Sequence, residues 1–133
     1  MRAEKVIRSL LAAAPSVSAL VATRIYPAPI PQATTLPAIG YAHVSTVPLN
    51  TLDASAGFNL VRSRIEVFAI AKSYADQKAL VEEIRKALDY QRGTIAGVEV
   101  VSILRDVSGP DLRDDDMQLF TQATDFLVTL REV

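Results

Sequence analysis

Between Leu60 and Ala71 the chain alternates with a period of two. Arg62, Arg64 and Glu66 fall on one side, and Val61, Ser63, Ile65, Val67 and Ala69 on the other. That period is the signature of a strand with one solvated and one buried face. Such a strand needs neighbours to satisfy its backbone and something to cover its apolar side. At Phe68 and Ile70 the pattern turns apolar on both sides, so cover on both faces is expected at that end.

Two stretches supply helical cover. From Arg2 to about Ala14, the residues Val6, Ile7, Leu10, Leu11 and Ala14 recur at helical spacing. Pro15 interrupts, and Ser16 is placed to cap a short further turn carrying Val17, Leu20 and Val21. A signal-peptide reading of this region, with Arg2, Lys5 and Arg8 as its basic part, is opposed by Glu4 and by the short apolar run before Pro15. The second helix starts at Ser73, with Asp76 three residues on. It turns Leu80, Val81, Ile84, Ala87 and Leu88 inward. Lys78, Glu82, Glu83, Arg85 and Lys86 face water, Glu82 and Lys86 are spaced to pair, and Gly93 is the expected stop.

The remaining stretches read as strands and connections. Arg24 to Thr35 is proline-rich and predicted to lie extended along the surface. Ala38 to Val47 reads as a strand ended by Pro48, and Leu49 to Asn59 as a loop. Ile95 to Leu104 is a strand pair or a bent strand, with Gly97 as its turn or bulge. Arg105 to Gln118 is a polar loop, and Leu119 to Arg131 the last strand. The order α-β-β-α-β-β with short connections predicts one α+β domain over residues 1–133. Its architecture is a two-layer sandwich, an antiparallel four-stranded (or slightly larger) sheet with two helices on one face. The expected core is Val6, Ile7, Leu10, Ile65, Val67, Val81, Ile84, Leu88, Phe126 and Val128.

Composition narrows the chemistry. With no cysteine, thiolate metal sites, thiol nucleophiles and disulfide scaffolds are excluded. His43 is the single histidine, which excludes a multi-histidine metal site within one chain, and its neighbours show no nucleophile–base spacing. Asp111, Asp114, Asp115 and Asp116 lack the alternate spacing, central glycine and distal glutamate of a calcium loop, and read as a solvated acidic loop. No glycine-rich phosphate loop is present. The reading is therefore of a non-enzyme without cofactor or metal. A net charge of −1 and the absence of tryptophan give no drive towards sequence-specific nucleic acid binding. No apolar run is long enough to cross a membrane.

Charge is nevertheless segregated along the chain. Residues 1–64 hold six basic and two acidic residues, whereas 106–133 hold two basic and seven acidic. Internal pairing of the two ends is one account. The other is head-to-tail self-association, with Arg62 and Arg64 on one surface and Asp111, Arg113, Asp114, Asp115 and Asp116 on the other.

Several ordered phrases resemble a known family. They are Arg24-Ile25-Tyr26-Pro27, Leu36-Pro37-Ala38-Ile39 with Tyr41, and Arg85-Lys86-Ala87-Leu88-Asp89 followed by Gly93-Thr94-Ile95-Ala96-Gly97-Val98. Ser102-Ile103, Asp106, Asp125-Phe126 and Val128 complete the set. Together they resemble the tail-completion, or tail-terminator, proteins of long-tailed bacteriophages and gene transfer agents. The resemblance implies a structural subunit of a ring, usually a hexamer, that caps the tail tube and then receives the head connector. It implies assembly in the bacterial cytoplasm before incorporation at the particle neck, and no catalytic residues. Another head–tail connector component and a small ligand-binding α+β domain are the competing readings.

Overall fold

The computed structural model describes residues 2–28, 30–31, 34–49, 59–115 and 118–132. Three helices, α1 (Arg2–Ala13), α2 (Pro15–Val21) and α3 (Tyr74–Leu88), accompany seven strands. The strands are β1 (Ile25–Pro27), β2 (Ala38–Leu49), β3 (Asn59–Ala71), β4 (Gly93–Ile95), β5 (Val98–Ser108), β6 (Leu112–Asp114) and β7 (Leu119–Glu132). They form one sheet in the order β1-β2-β3-β7-β5-β4, with β6 on β7 beside β5. The fold is α+β. The two-layer expectation of an antiparallel four-stranded (or slightly larger) sheet with two helices is corrected: among the described residues the sheet has seven strands, β1 runs parallel to β2, and there are three helices.

The centre of the sheet follows the alternating pattern. On β3, Val61, Ser63, Ile65, Val67, Ala69 and Ala71 are buried, while Arg62 is exposed and Arg64 and Glu66 are half-buried. β3 is paired along its whole length with β7, from Asn59 opposite Glu132 to Ala71 opposite Phe120. The buried face meets the helices in one core. Ile7 and Leu11 of α1, Val17 and Val21 of α2, and Leu80, Ile84 and Leu88 of α3 share it with Ile65, Phe126 and Val128. Of the expected core residues only Leu10 and Val81 are partly exposed. Gln77 of α3 is fully buried, a position helical periodicity assigned to no face.

The helix ends differ in detail from expectation. α2 begins on Ala14 with Pro15 in its first turn, so Ser16 is not its cap. Proline suits that position because its missing N–H would be unpaired there anyway. Ser73 caps α3 as expected, its hydroxyl accepting from the Asp76 N–H at 3.1 Å. α3 ends at Leu88, ahead of Tyr90, which adopts a left-handed conformation; Gly93 instead opens β4. On the wet side Arg85 pairs with Glu82 and Lys86 with Glu83, each one residue closer in sequence than the expected Glu82–Lys86 pair, and Arg85 also reaches Asp89.

The ends of the sheet hold the larger corrections. The proline-rich segment pairs rather than floats. The Ile39 N–H donates to the Arg24 carbonyl at 3.0 Å, the Ala28 N–H donates to the Tyr41 carbonyl at 2.8 Å, and Ile25 is buried. The Ile30 side chain lies over Gly40, where a Cβ would come within 3.0 Å of it. The absence of a side chain at Gly40 lets the Ile30 side chain pack directly on the backbone there. Phe68 lies against the same spot, so the expected cover on the second face of β3 is Ile30. β2 continues through Pro48 to Leu49, and residues 50–58 of the expected loop lie outside the described residues. Proline is tolerated there because Pro48 stands opposite Val61 with its nitrogen turned away from β3, so no ladder bond is lost. Of the two readings for Ile95 to Leu104 the strand pair is the one found, with wider bounds: β4 and β5 form a hairpin. Ala96 and Gly97 both take positive φ, at 52° and 77°, the two-residue turn whose twist matches a hairpin. The polar loop expected from Arg105 is shorter, since β5 runs on to Ser108 and β6 pairs with β7.

Candidate assembly interface

The residues singled out by charge fall into two groups on the sheet. Arg62 and Arg64 lie on β3, opposite Thr129 and Leu127 of β7. Asp111, Arg113, Asp114 and Asp115 lie at β6, which pairs with β7 between Leu119 and Thr121. Six residues of extended strand separate Thr121 from Leu127, roughly 20 Å. The two groups are therefore apart within one chain, and Asp116 lies outside the described residues.

Arg64 has carboxylate partners in its own subunit. Its guanidinium contacts Asp106 at 2.6 Å and Asp125 at 3.0 Å. The hydrogen bonds to Asp106 and then to Asp125 raise its already high pKa. The internal-pairing account of charge segregation holds at this residue, which links the basic and acidic portions of the sequence. Asp106 is the partner that sequence reasoning missed. It enters through an irregularity in the β5–β7 register between Arg105 and Ser108, which no periodic pattern announces. Glu66 stands opposite Asp125. Partial burial, and then the neighbouring Asp125 charge, raise its pKa. Arg62 is exposed and makes one long contact, Nε to the Thr129 hydroxyl at 3.4 Å.

The acidic segment is braced at its base. Lys78 Nζ reaches Asp111 at 2.5 Å and the Gln122 side-chain oxygen at 3.1 Å. Arg113 pairs with Asp115 at 2.7 Å and lies over the Phe120 ring at 5.6 Å. Tyr74 meets Phe120 edge-on, with ring centroids 6.4 Å apart. All of β6 is exposed, with Leu112 59% accessible. The segment is thus presented in a defined place, with its carboxylates at the surface.

His43 lies on the exposed part of β2. Its Nε2 is 2.6 Å from the Thr46 hydroxyl, which is 2.9 Å from the Ser63 hydroxyl. A bulge at Val44 brings Thr46 within reach, a contact that residue spacing did not predict. The three border an open cavity of about 400 Å³ with Arg2, Glu4 and Glu132 on its rim. Among the described residues no cluster of three metal-ligating side chains is present, and no helix is long and apolar enough to cross a membrane.

The fold and the sequence both have relatives. A solved chain from the virion of a native gene transfer agent particle superposes with a TM-score of 0.67, covering 96% of this chain and 92% of the other at 16% identity. At that identity the likeness is one of fold. No curated protein matches the sequence. The family described as Tail completion protein gp17 matches over residues 5–131, nearly the whole length. The chain therefore belongs to the Tail completion protein gp17 family, structural proteins of the phage tail.

Proposed function

We propose that this protein is the subunit of a ring, six-membered by analogy with its family, that closes the end of the tail tube and then presents the docking surface for the head connector. Its partners on this reading are further copies of itself, the tail tube protein and the head connector or stopper protein. It works as one structural domain without catalysis, cofactor or metal, assembling in the bacterial cytoplasm and residing at the particle neck. The observation that carries the reading is the placement of charge. Exposed Arg62 and the braced acidic segment lie at separate positions on one sheet, too far apart to neutralise each other inside a subunit. Different patches that meet at every joint make a head-to-tail contact, and a rotation that closes turns it into a ring. Arg64 is engaged by its own carboxylates, so Arg62 is the basic contributor on β3.

Exposed ion pairs contribute about 0–1 kcal/mol each and are screened by salt. The joint then depends on several pairs together, and on tube ends that gather the copies. Reversing Asp114, Asp115 and Asp116 to Lys tests this in a tail-capping assay across salt concentrations. The variant is expected to cap poorly at low salt while melting like the wild type. Equal capping by both at every salt would reduce the acidic segment to a solvated face. Attachment to tail-free heads, in place of tubes, would favour a connector component instead.

A further inference from the structure

Among the described residues the sheet is open at both ends. β1 covers β2 only from Ile39 to Tyr41, and β4 covers β5 only from Val98 to Val100. Residues 42–49 of β2 and 101–108 of β5 extend beyond these covers, and the two stretches are equal in length. Among the described residues, five of the eight exposed large apolar side chains lie on them: Val44, Val47, Val101, Leu104 and Val107. Edge strands are normally protected with lysine, and apolar side chains on an open edge mark a surface that another strand covers.

We propose that the ring joint is a strand-edge contact, in which β2 of one copy lies along β5 of the next. The proposal rests on the ring reading above but not on the charge pairing: with Val47 beside Leu104, Arg62 of one copy lies roughly 20 Å along the strand from the acidic segment of the next, so the edge contact is an alternative joint for the same ring. Three antiparallel pairings separate β2 from β5, so the two strands run in opposite directions within one sheet. A second copy placed beside β5 in the same orientation brings its β2 in antiparallel, with the same face inward. Val47 lies opposite Arg62, and Leu104 opposite Leu127, which itself faces Arg64. Val47 and Leu104 therefore belong to the same face, the one bearing the arginines, at opposite ends of the sheet. A joint between the two edges brings them together. Two copies joined through the same edge would form a closed dimer and leave the other edge bare, whereas β2-to-β5 contact uses both edges in every subunit.

The backbone limits how strong each joint can be. The Ile39 N–H and the Tyr41 carbonyl face β1, so alternate residues beyond them face outward: His43, then Thr46 and Pro48 after the bulge. Pro48 has no donor. On β5 the outward Ile103 carbonyl already accepts from the Tyr90 N–H at 2.9 Å, leaving Arg105 as the next outward residue. Bulges interrupt both edges, near Val44 on β2, and near Val101 and again before Ser108 on β5. Few main-chain bonds can form, so the contact is short and largely made by side chains. That geometry suits a joint that is weak singly and stable in a closed ring, and it disfavours open-ended stacking of strands.

The chain has no cysteine, which allows a clean crosslinking test. Val47→Cys and Leu104→Cys are made singly and together, assembled on tail tubes and treated with a short bismaleimide. Within one subunit the two sites are three strand spacings apart, roughly 14 Å. The double variant is expected to give a ladder rising to the closed ring on a denaturing gel, and each single variant to remain monomeric. Arg105→Pro removes an outward N–H without touching the β7 ladder, and is expected to abolish rings at wild-type melting temperature. If that variant melts early, Leu104→Lys carries the same expectation. Crosslinked dimers from one single variant would overturn the proposal, as would normal rings from Leu104→Lys. Rings seen by electron microscopy without a crosslinked ladder would overturn the edge joint and leave the ring reading standing. Tubes that bind the protein without any ring would overturn both.

Discussion

β3 and β5 are strands of similar length in the same sheet, yet they differ in almost every physical respect. β3 is paired on both sides for most of its length, and one of its faces is sealed by helices. β5 is paired throughout on one side only, is kinked by register shifts, and from Leu104 onward is exposed. The period of two is therefore written clearly in β3 and fades along β5, because burial is what imposes it. A strand buried on one face must alternate. A strand whose far end is paired along one edge only, with exposed side chains on both faces, is free of that constraint within the subunit, and its apolar residues answer to something outside it.

This contrast sets a scale of expected effects. The largest separates the centre from the edge. Phe126, fully buried opposite Ile65, should cost about 3–5 kcal/mol when cut to alanine, since transfer and cavity terms add. Leu112, on exposed β6, should change stability by no more than about 0.5 kcal/mol. Denaturant titration of the two variants checks both, and similar losses would erase the distinction. Next is the cap of the helix that seals β3. Ser73→Ala should cost about 1 kcal/mol, read as a lower melting midpoint.

A smaller effect is pH-dependent and belongs to the centre. Burial and the nearby Asp125 charge raise the pKa of Glu66 in the folded state. The native state then holds this proton more tightly than the unfolded chain does. Stability from this group is full at acidic pH and declines as pH rises through the interval between the two pKa values. Glu66→Gln should therefore melt slightly higher than the wild type at neutral pH, with the difference closing on acidification. A difference that widens in acid would reverse the assignment. The smallest effect is expected at the imidazole of His43, whose backbone and not its ring lies along the β2 edge. His43→Ala removes a ring that contacts one exposed hydroxyl, and tail capping should be unchanged. Loss of capping by a normally folded His43→Ala protein would show that the imidazole has a role beyond bracing the bulge.

The same contrast explains what could be read without coordinates. The helices at α1 and α3, the cap at Ser73, the strands β3 and β7 and eight of the ten proposed core residues were legible. In each, burial enforces a period or a cap demands a residue type. β1 was not, because its three residues are held by parallel pairing to a distant segment, and proline spacing suggested exposed backbone instead. The continuation of β2 through Pro48 depended on which way one nitrogen faces, a property of the register rather than of composition. At the candidate interface, the acidic segment was evident from its aspartates. Its anchoring by Lys78 and Phe120, and the capture of Arg64 by Asp106, required the fold. The open edges were invisible, since an edge is defined by the strand that is missing beside it.

On the proposed reading, copies of this chain close into a ring at the end of a tail tube. Electron microscopy of tubes lacking the protein, before and after its addition, tests it most directly. A single closed ring is expected at one end of each tube, with no decoration along the shaft, and renewed joining of those tubes to heads. Tubes whose ends are unchanged while the protein binds tail-free heads, or coats the shaft, would contradict it.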